Sequence, residues 1–220
     1  MLRAIFYDLD GTIVNTDPLH FGVWQEILLN YNIEIDEEFY KTRMSGRLNP
    51  DIVQDLLPEL SLDAVQEFSD RKEARFREVA SQLVPTPGLL NLIAWAKTSG
   101  LKQAVVTNAP RENASYMLKV LHLQEEFDYV VIAEDIGIPK PDPAPYLHAL
   151  AYFSLTPEQV LAFEDSPSGM RAAVSAGIPT VGIASTQEPS ELYELGAMLV
   201  VSDFTDSQLW KLLGAPQPVS

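Results

Sequence analysis

Five short apolar runs rich in β-branched residues restrict the folds open to this 220-residue chain: "LRAIFY" (2–7), "LKQAVVT" (101–107), "FDYVVIA" (127–133), "QVLAFE" (159–164) and "IPTVGIA" (178–184). Helix-patterned segments lie between the later ones, near 87–99, 110–122, 143–154 and 167–176. Strands that are apolar throughout, rather than at every second position, are buried on both faces. Such strands belong to parallel sheets covered by helices on both sides. Capping residues before proline mark expected helix starts at Asp17-Pro18, Asp142-Pro143, Thr156-Pro157 and Ser166-Pro167. Gly100 and Gly177 sit where a left-handed residue ends a helix.

One stretch breaks the alternation. From about 18 to 82 every pattern is helical: "PLHFGVWQEILLNY", "DEEFYKTRM", "PDIVQDLL" and "SLDAVQEFSDRKEARFREVA". The chain returns to the strand–helix pattern through "VPTPG" (84–88). The expected architecture is an α/β, doubly wound parallel-sheet (Rossmann-like) core over 1–15 and 83–220, with an inserted all-α cap over 16–82. An insertion directly after the first strand lies near the carboxyl edge of the sheet, where open α/β folds bind ligands, and can act as a lid. The closing "GAPQPVS" reads as a loose tail.

Composition removes several classes of function. A net charge of −16 argues against a nucleic-acid partner, which needs a basic face. The absence of cysteine excludes disulfides, thiolate catalysis and thiolate-held metals. No run is long enough to span a membrane and no secretory signal is recognisable, so the expected location is the cytoplasm. An anionic substrate would need local attraction from a metal, a lysine or helix N-terminal amides.

Chemistry concentrates at strand ends. "YDLDGTIVNTD" (7–17) delivers Asp8 and Asp10 one residue apart, and like charges so close call for a cation or a proton. Mg²⁺, a hard ion, fits carboxylates and a backbone carbonyl; the plain alternative is an acidic strand end capping a helix. "VVTNAP" ends a second strand in Thr107-Asn108, "GIPKPDP" holds Lys140 in a proline-rich loop, and "LAFEDSPSG" ends another strand in Glu164-Asp165. Each has a bland reading as turn, solvated cation or helix-start acid. Together they supply a nucleophile, a second acid, phosphate donors, a cation and metal ligands.

In this combination and order, "DLDGT", "TN", the lysine of "KPDP" and "EDS" resemble the four motifs of the haloacid dehalogenase-like superfamily. The resemblance runs through essentially the whole chain, and the helical insertion after the first motif resembles the subgroup that contains phosphoglycolate phosphatase and β-phosphoglucomutase. It implies a Mg²⁺-dependent phosphatase acting on a small phosphorylated metabolite through an aspartyl-phosphate. Asp8 would be the nucleophile and Asp10 the general acid and base. The metal would be held by Asp8, the Asp10 carbonyl and Asp165, with Glu164 supporting through water. Lys140 would offset carboxylate repulsion, Thr107 and the Asn108 amide would bind phosphoryl oxygens, Gly11 would allow the turn and Thr12 would brace it.

The same resemblance places His20 and Trp24 at the entrance to the site, against the alternative that both pack inside the cap. It makes "MSGRLN" a substrate-touching loop, with Arg47 offering a guanidinium to a second anionic group. Arg71, Lys72, Arg75 and Arg77 read instead as a solvated helix face. A phosphomutase of the β-phosphoglucomutase kind is the alternative function. Asn49 and Glu78 align with normally basic positions of that pattern, and Thr107-Asn108 replaces its serine-alanine, both favouring hydrolysis. A receiver-like signalling module fits less well, because its phosphorylated Asp lies on a middle strand of a shorter chain without a helical insertion.

Overall fold

In the computed structural model, which describes residues 1–217, "AIFY" forms β1 (Ala4–Tyr7) with every residue fully buried. β2 (Lys102–Thr107), β3 (Tyr129–Ile132), β4 (Val160–Glu164), β5 (Thr180–Ile183) and β6 (Leu199–Val201) join it in one sheet, ordered β3-β2-β1-β4-β5-β6. All neighbours are parallel, and β1 pairs Ala4–Tyr7 with Lys102–Val105 on one side and Val160–Phe163 on the other. The direction of winding reverses between β1 and β4, which is where an open α/β sheet leaves a crevice at its carboxyl edge. Asp8 follows β1 and Glu164 ends β4, so the reversal brings acids from distant parts of the chain to one edge.

The chain divides into two compact units, Met1–Asn15 with Leu83–Ser220, and Thr16–Gln82. The second unit holds α1 (Asp17–Leu29), α2 (Glu37–Arg43), α3 (Asn49–Leu56) and α4 (Leu62–Val79), and no strand among the described residues. Its core forms where α1 presents Val23, Trp24, Ile27 and Leu28 and α4 presents Val65, Phe68 and Phe76. Trp24 stacks on Phe68 at 5.8 Å between ring centroids.

In the sheet unit the helices are α5 (Leu89–Thr98), α6 (Arg111–Val120), α7 (Ala133–Ile136), α8 (Ala144–Phe153), α9 (Pro167–Ser175), α10 (Pro189–Glu194) and α11 (Ser207–Leu213). One face of the sheet, with Ala4, Phe6, Val106 and Ala162, packs against Tyr146, Ala149 and Leu150 of α8 and the alanines of α9. Small residues on α9 bring that helix close to the sheet. On the opposite face Tyr7 stacks on Phe163, and Phe163 meets Phe204 edge-on.

The helix starts divide. Ser166 caps α9 by accepting from the Gly169 amide at 3.0 Å, and Thr156 opens a 3-10 turn with a capping box. Asp142 accepts from the Ala144 amide, but Pro143 occupies the cap position itself. Asp17 lies inside α1, whose cap position is Thr16, and its carboxylate accepts from Tyr40 and Ser45. Gly100 and Gly177 have positive φ, as the helix stops require. Of the expected tail, Pro218 to Ser220 lie outside the described residues, while α11 ends before Gly214, and Gln217 bonds back to the Thr205 carbonyl.

Candidate active site

The site grows from β1. Its extended backbone continues one residue past the strand, the Asp8 amide donating to the Phe163 carbonyl at 3.0 Å, and then turns sharply. Gly11 makes the turn possible with φ at +81°, and a Cβ there would collide with the Asp165 carboxylate. Position 11 therefore demands glycine for both conformation and space. The Gly11 and Val14 amides are absorbed within the turn, and Thr86 Oγ1 donates to the Thr12 carbonyl at 2.7 Å, tying the turn to the returning chain.

Lys140 Nζ donates to Asp8 Oδ1 at 2.7 Å and to Glu164 Oε1 at 2.5 Å. The lysine is 4 % exposed, Asp8 7 % and Glu164 0 %. Its backbone is clamped by Asn108, whose Oδ1 accepts from the Lys140 amide at 3.0 Å and whose Nδ2 donates to the Lys140 carbonyl at 3.1 Å. The end of β2 thus fixes the loop that carries the lysine. Thr107 is buried, and its Oγ1 accepts from the Ala109 amide, which leaves the hydroxyl hydrogen as a donor.

Oxygens of Asp8, Glu164 and Asp165 come within 4.8 Å of one another. Asp165 accepts from Thr12 Oγ1 at 3.3 Å and from Thr186 Oγ1 at 2.7 Å, so its carboxylate is held by loops after β1 and β5. Glu164 Oε1 accepts a second hydrogen bond, from the Tyr146 hydroxyl at 2.7 Å. Glu164 Oε2 is buried with no hydrogen-bond partner among the described residues. Asp10, on the turn, is half-buried, and its carboxylate does not belong to the three-acid cluster.

Burial dominates the electrostatics. It pushes the Asp8 carboxyl up to about 8, with the Glu164 and Asp10 charges adding to the rise and Lys140 opposing it. For Lys140 burial acts downward, but the Asp8 and Glu164 carboxylates outweigh it and hold the ammonium above its ordinary value. Burial, helped by the Glu164 charge, also raises the Tyr146 phenol, which stays a hydrogen-bond donor. With Asp8 ionised, three carboxylates against one ammonium would leave two negative charges, the number one divalent cation cancels. The all-oxygen donor set and the partnerless Glu164 Oε2 fit a hard metal ion.

The other expected site residues, His20 and Arg47, lie in the helical unit. His20 stacks on Phe76 with ring centroids 4.1 Å apart, and its Nδ1 lies 2.8 Å from Lys72 Nζ. Lys72, expected on a solvated face, is 2 % exposed and pairs with Glu73 at 2.8 Å. Glu73 also accepts from the Asn49 amide, and despite burial the Lys72 charge keeps its carboxyl below the usual range. Arg47 is exposed, donating to Asp55 at 2.7 Å and to the Arg43 carbonyl at 2.9 Å. Trp24 packs inside the unit. Residues missed in the sequence are Tyr146 and Thr186, which no local pattern marks. Asn108 was expected as a phosphate contact, and its side chain is found on the Lys140 backbone.

Comparison with known proteins agrees with this geometry. The haloacid dehalogenase-like hydrolase family matches residues 5–183. A phosphorylated carbohydrates phosphatase of Thermotoga maritima is 31% identical over 204 residues, 91% of this chain and 94% of that protein. The β-phosphoglucomutase of Bacillus subtilis is 28% identical, covering 94% and 92% of the two chains. Among solved structures, CbbY of Rhodobacter sphaeroides in complex with phosphate superposes with a TM-score of 0.80 at 26% identity, over 93% of this chain and 95% of that one. The chain belongs to the haloacid dehalogenase-like hydrolases. Relatives named as phosphatases support an enzyme of the phosphoric monoester hydrolase kind.

Proposed function

We propose that this enzyme is a Mg²⁺-dependent phosphatase that hydrolyses a small phosphomonoester, a sugar phosphate or a phosphoglycolate-like ester, through an aspartyl-phosphate on Asp8. The observation that carries it is the Lys140 ammonium shared between Asp8 and Glu164, in a cluster that Asp165 completes. An Asp8 oxygen attacks phosphorus, the ester oxygen departs, and Asp10 gives that oxygen its proton. Water then attacks the phosphorus of the aspartyl-phosphate while Asp10 takes its proton, releasing inorganic phosphate and restoring the Asp8 carboxylate. Asp8, the Asp10 carbonyl and Asp165, supported by Glu164, would hold Mg²⁺, which would supply charge that favours ionised Asp8 and stabilises the phosphoryl oxygens. Lys140 assists both tasks, and Thr107 with the Asn108 amide offers donors to the phosphoryl group.

We assign the helical unit Thr16–Gln82 the role of a cap that selects the substrate. It is inserted eight residues beyond Asp8 in the chain and carries the polar group of His20, Asn49, Lys72 and Glu73. His20 and Arg47 are its proposed substrate contacts. A panel of phosphomonoesters assayed with Mg²⁺ for inorganic phosphate tests the function. Metal-dependent release from at least one ester, lost in chelator and in Asp8→Asn, is expected. Release that survives either treatment overturns the mechanism. A phosphomutase is the alternative, favoured by the likeness to β-phosphoglucomutase.

A further inference from the structure

Tyr146 is the third residue of α8, six residues after Lys140, and its side chain is fully buried. It touches the acid cluster in two ways. Its hydroxyl donates to Glu164 Oε1 at 2.7 Å, and the face of its ring lies 5.2 Å from the Lys140 ammonium. Glu164 Oε1 therefore receives both Lys140 and Tyr146, while Oε2 receives nothing among the described residues. On another side the carboxylate occupies the space that a Cβ on Gly169 would need. Lysine, tyrosine and glycine together make a slot that admits one placement of this carboxylate.

We propose that Tyr146 is a positioning residue for the cation site: its hydroxyl shares Glu164 Oε1 with Lys140 and so holds Oε2 as an acceptor for a divalent cation or its water shell. A buried carboxylate with three side-chain torsions has no reason to keep one oxygen partnerless unless its other contacts dictate it. With the hydroxyl gone, Lys140 is the remaining donor to Glu164 among the described residues. The carboxylate can then follow the ammonium toward Asp8 and draw that charge from the nucleophile. Hydrogen bonds to the acids around a metal tune its affinity in this way. The ring face against Lys140 is a separate contact, which a phenylalanine retains.

The inference rests on the Mg²⁺ reading given above, and its test separates the two. Mg²⁺ binding is measured by titration calorimetry and by the Mg²⁺-dependent rise in Tm, on the wild type and on Tyr146→Phe, alongside kcat and KM for the best ester. Tyr146→Phe is expected to weaken Mg²⁺ binding about 10- to 100-fold. The ester KM at saturating Mg²⁺ should stay within about threefold of the wild type, because the hydroxyl acts on the acids and not on the substrate. Should Tyr146→Phe fail to fold, Gly169→Ala crowds the same carboxylate from the other side and must weaken Mg²⁺ binding likewise. Wild-type binding that the variant retains within twofold overturns the role of Tyr146 alone. A wild type that binds no Mg²⁺ overturns the metal reading and this inference with it.

Discussion

Lys140 Nζ stands 2.7 Å from Asp8 Oδ1, joining residues 132 apart in the chain across a buried gap between the end of β1 and the loop before α8. The same ammonium reaches Glu164, so one cation is shared between two buried acids. Removing one partner of a buried ion pair strands the other charge. Lys140→Met should therefore cost about 3 kcal/mol of stability in chelator. Mg²⁺ should restore part of that loss, since it opposes the same carboxylates. Denaturant titrations with and without metal measure both effects, and a variant as stable as wild type in chelator would contradict the pairing.

The raised Asp8 carboxyl makes a pH prediction for the metal-free protein. Its folded value is about 8 against an ordinary 3.8. An acid that binds its proton more tightly when folded contributes stability below its ordinary value and loses it as pH rises to the folded one. Metal-free wild type should lose stability between pH 4 and pH 8, and Asp8→Asn should lack that component. Denaturation midpoints in chelator across this window give the comparison, and parallel profiles for the two proteins would remove the shift. Saturating Mg²⁺ should flatten the wild-type profile, because a cation beside Asp8 favours the ionised form.

The strand ends were legible because Asp8, Thr107 and Glu164 each close or directly follow an apolar run that reads as a buried strand. Asp8 after "AIFY" and Glu164 at the end of "VLAFE" had to reach one sheet edge once the alternation fixed a parallel sheet. β6 was not legible: "LVV" is only three residues long. Lys72 was misread because charges surround it on α4, yet burial is decided by what that face of the helix packs against. Tyr146 and Thr186 reach the acids through contacts across 18 and 21 residues of chain. No local pattern marks such contacts.

Asp10 and Asp8 should fail differently. In the proposed mechanism Asp8→Asn removes the nucleophile, and kcat should fall by more than about 10⁴-fold. Asp10→Asn keeps the nucleophile and loses only the proton transfer, a reduction of roughly 10²–10⁴-fold. The two are best separated with an ester whose leaving group needs no protonation, such as a nitrophenyl phosphate. On that substrate the first step should be largely restored in Asp10→Asn, and a burst of nitrophenol should precede slow turnover. Absence of a burst, with equal losses on both ester types, would take Asp10 out of the acid role.

The final prediction separates hydrolysis from mutase chemistry. A mutase must hold the nontransferring phosphate of a bisphosphate intermediate while the sugar turns over, which calls for cations that are not already paired. In the helical unit Lys72 faces Glu73, Arg47 faces Asp55, and Arg75 faces both Glu26 and Glu78. Asn49, at a position where the mutase pattern is basic, donates to Glu73 instead. A second phosphate would have to compete with these carboxylates for each of these three cations. A released product leaves the aspartyl-phosphate to water, which is phosphatase behaviour. The assay supplies β-glucose 1-phosphate with and without the 1,6-bisphosphate and follows inorganic phosphate and glucose 6-phosphate separately. Phosphate should accumulate, from this or another small ester, with glucose 6-phosphate staying near background. Glu73→Gln frees Lys72 from its carboxylate and should strengthen binding of bisphosphates relative to monophosphates, on the order of tenfold for one charge-assisted contact. Fast glucose 6-phosphate formation by the wild type, with little phosphate released, would establish the mutase in place of the phosphatase.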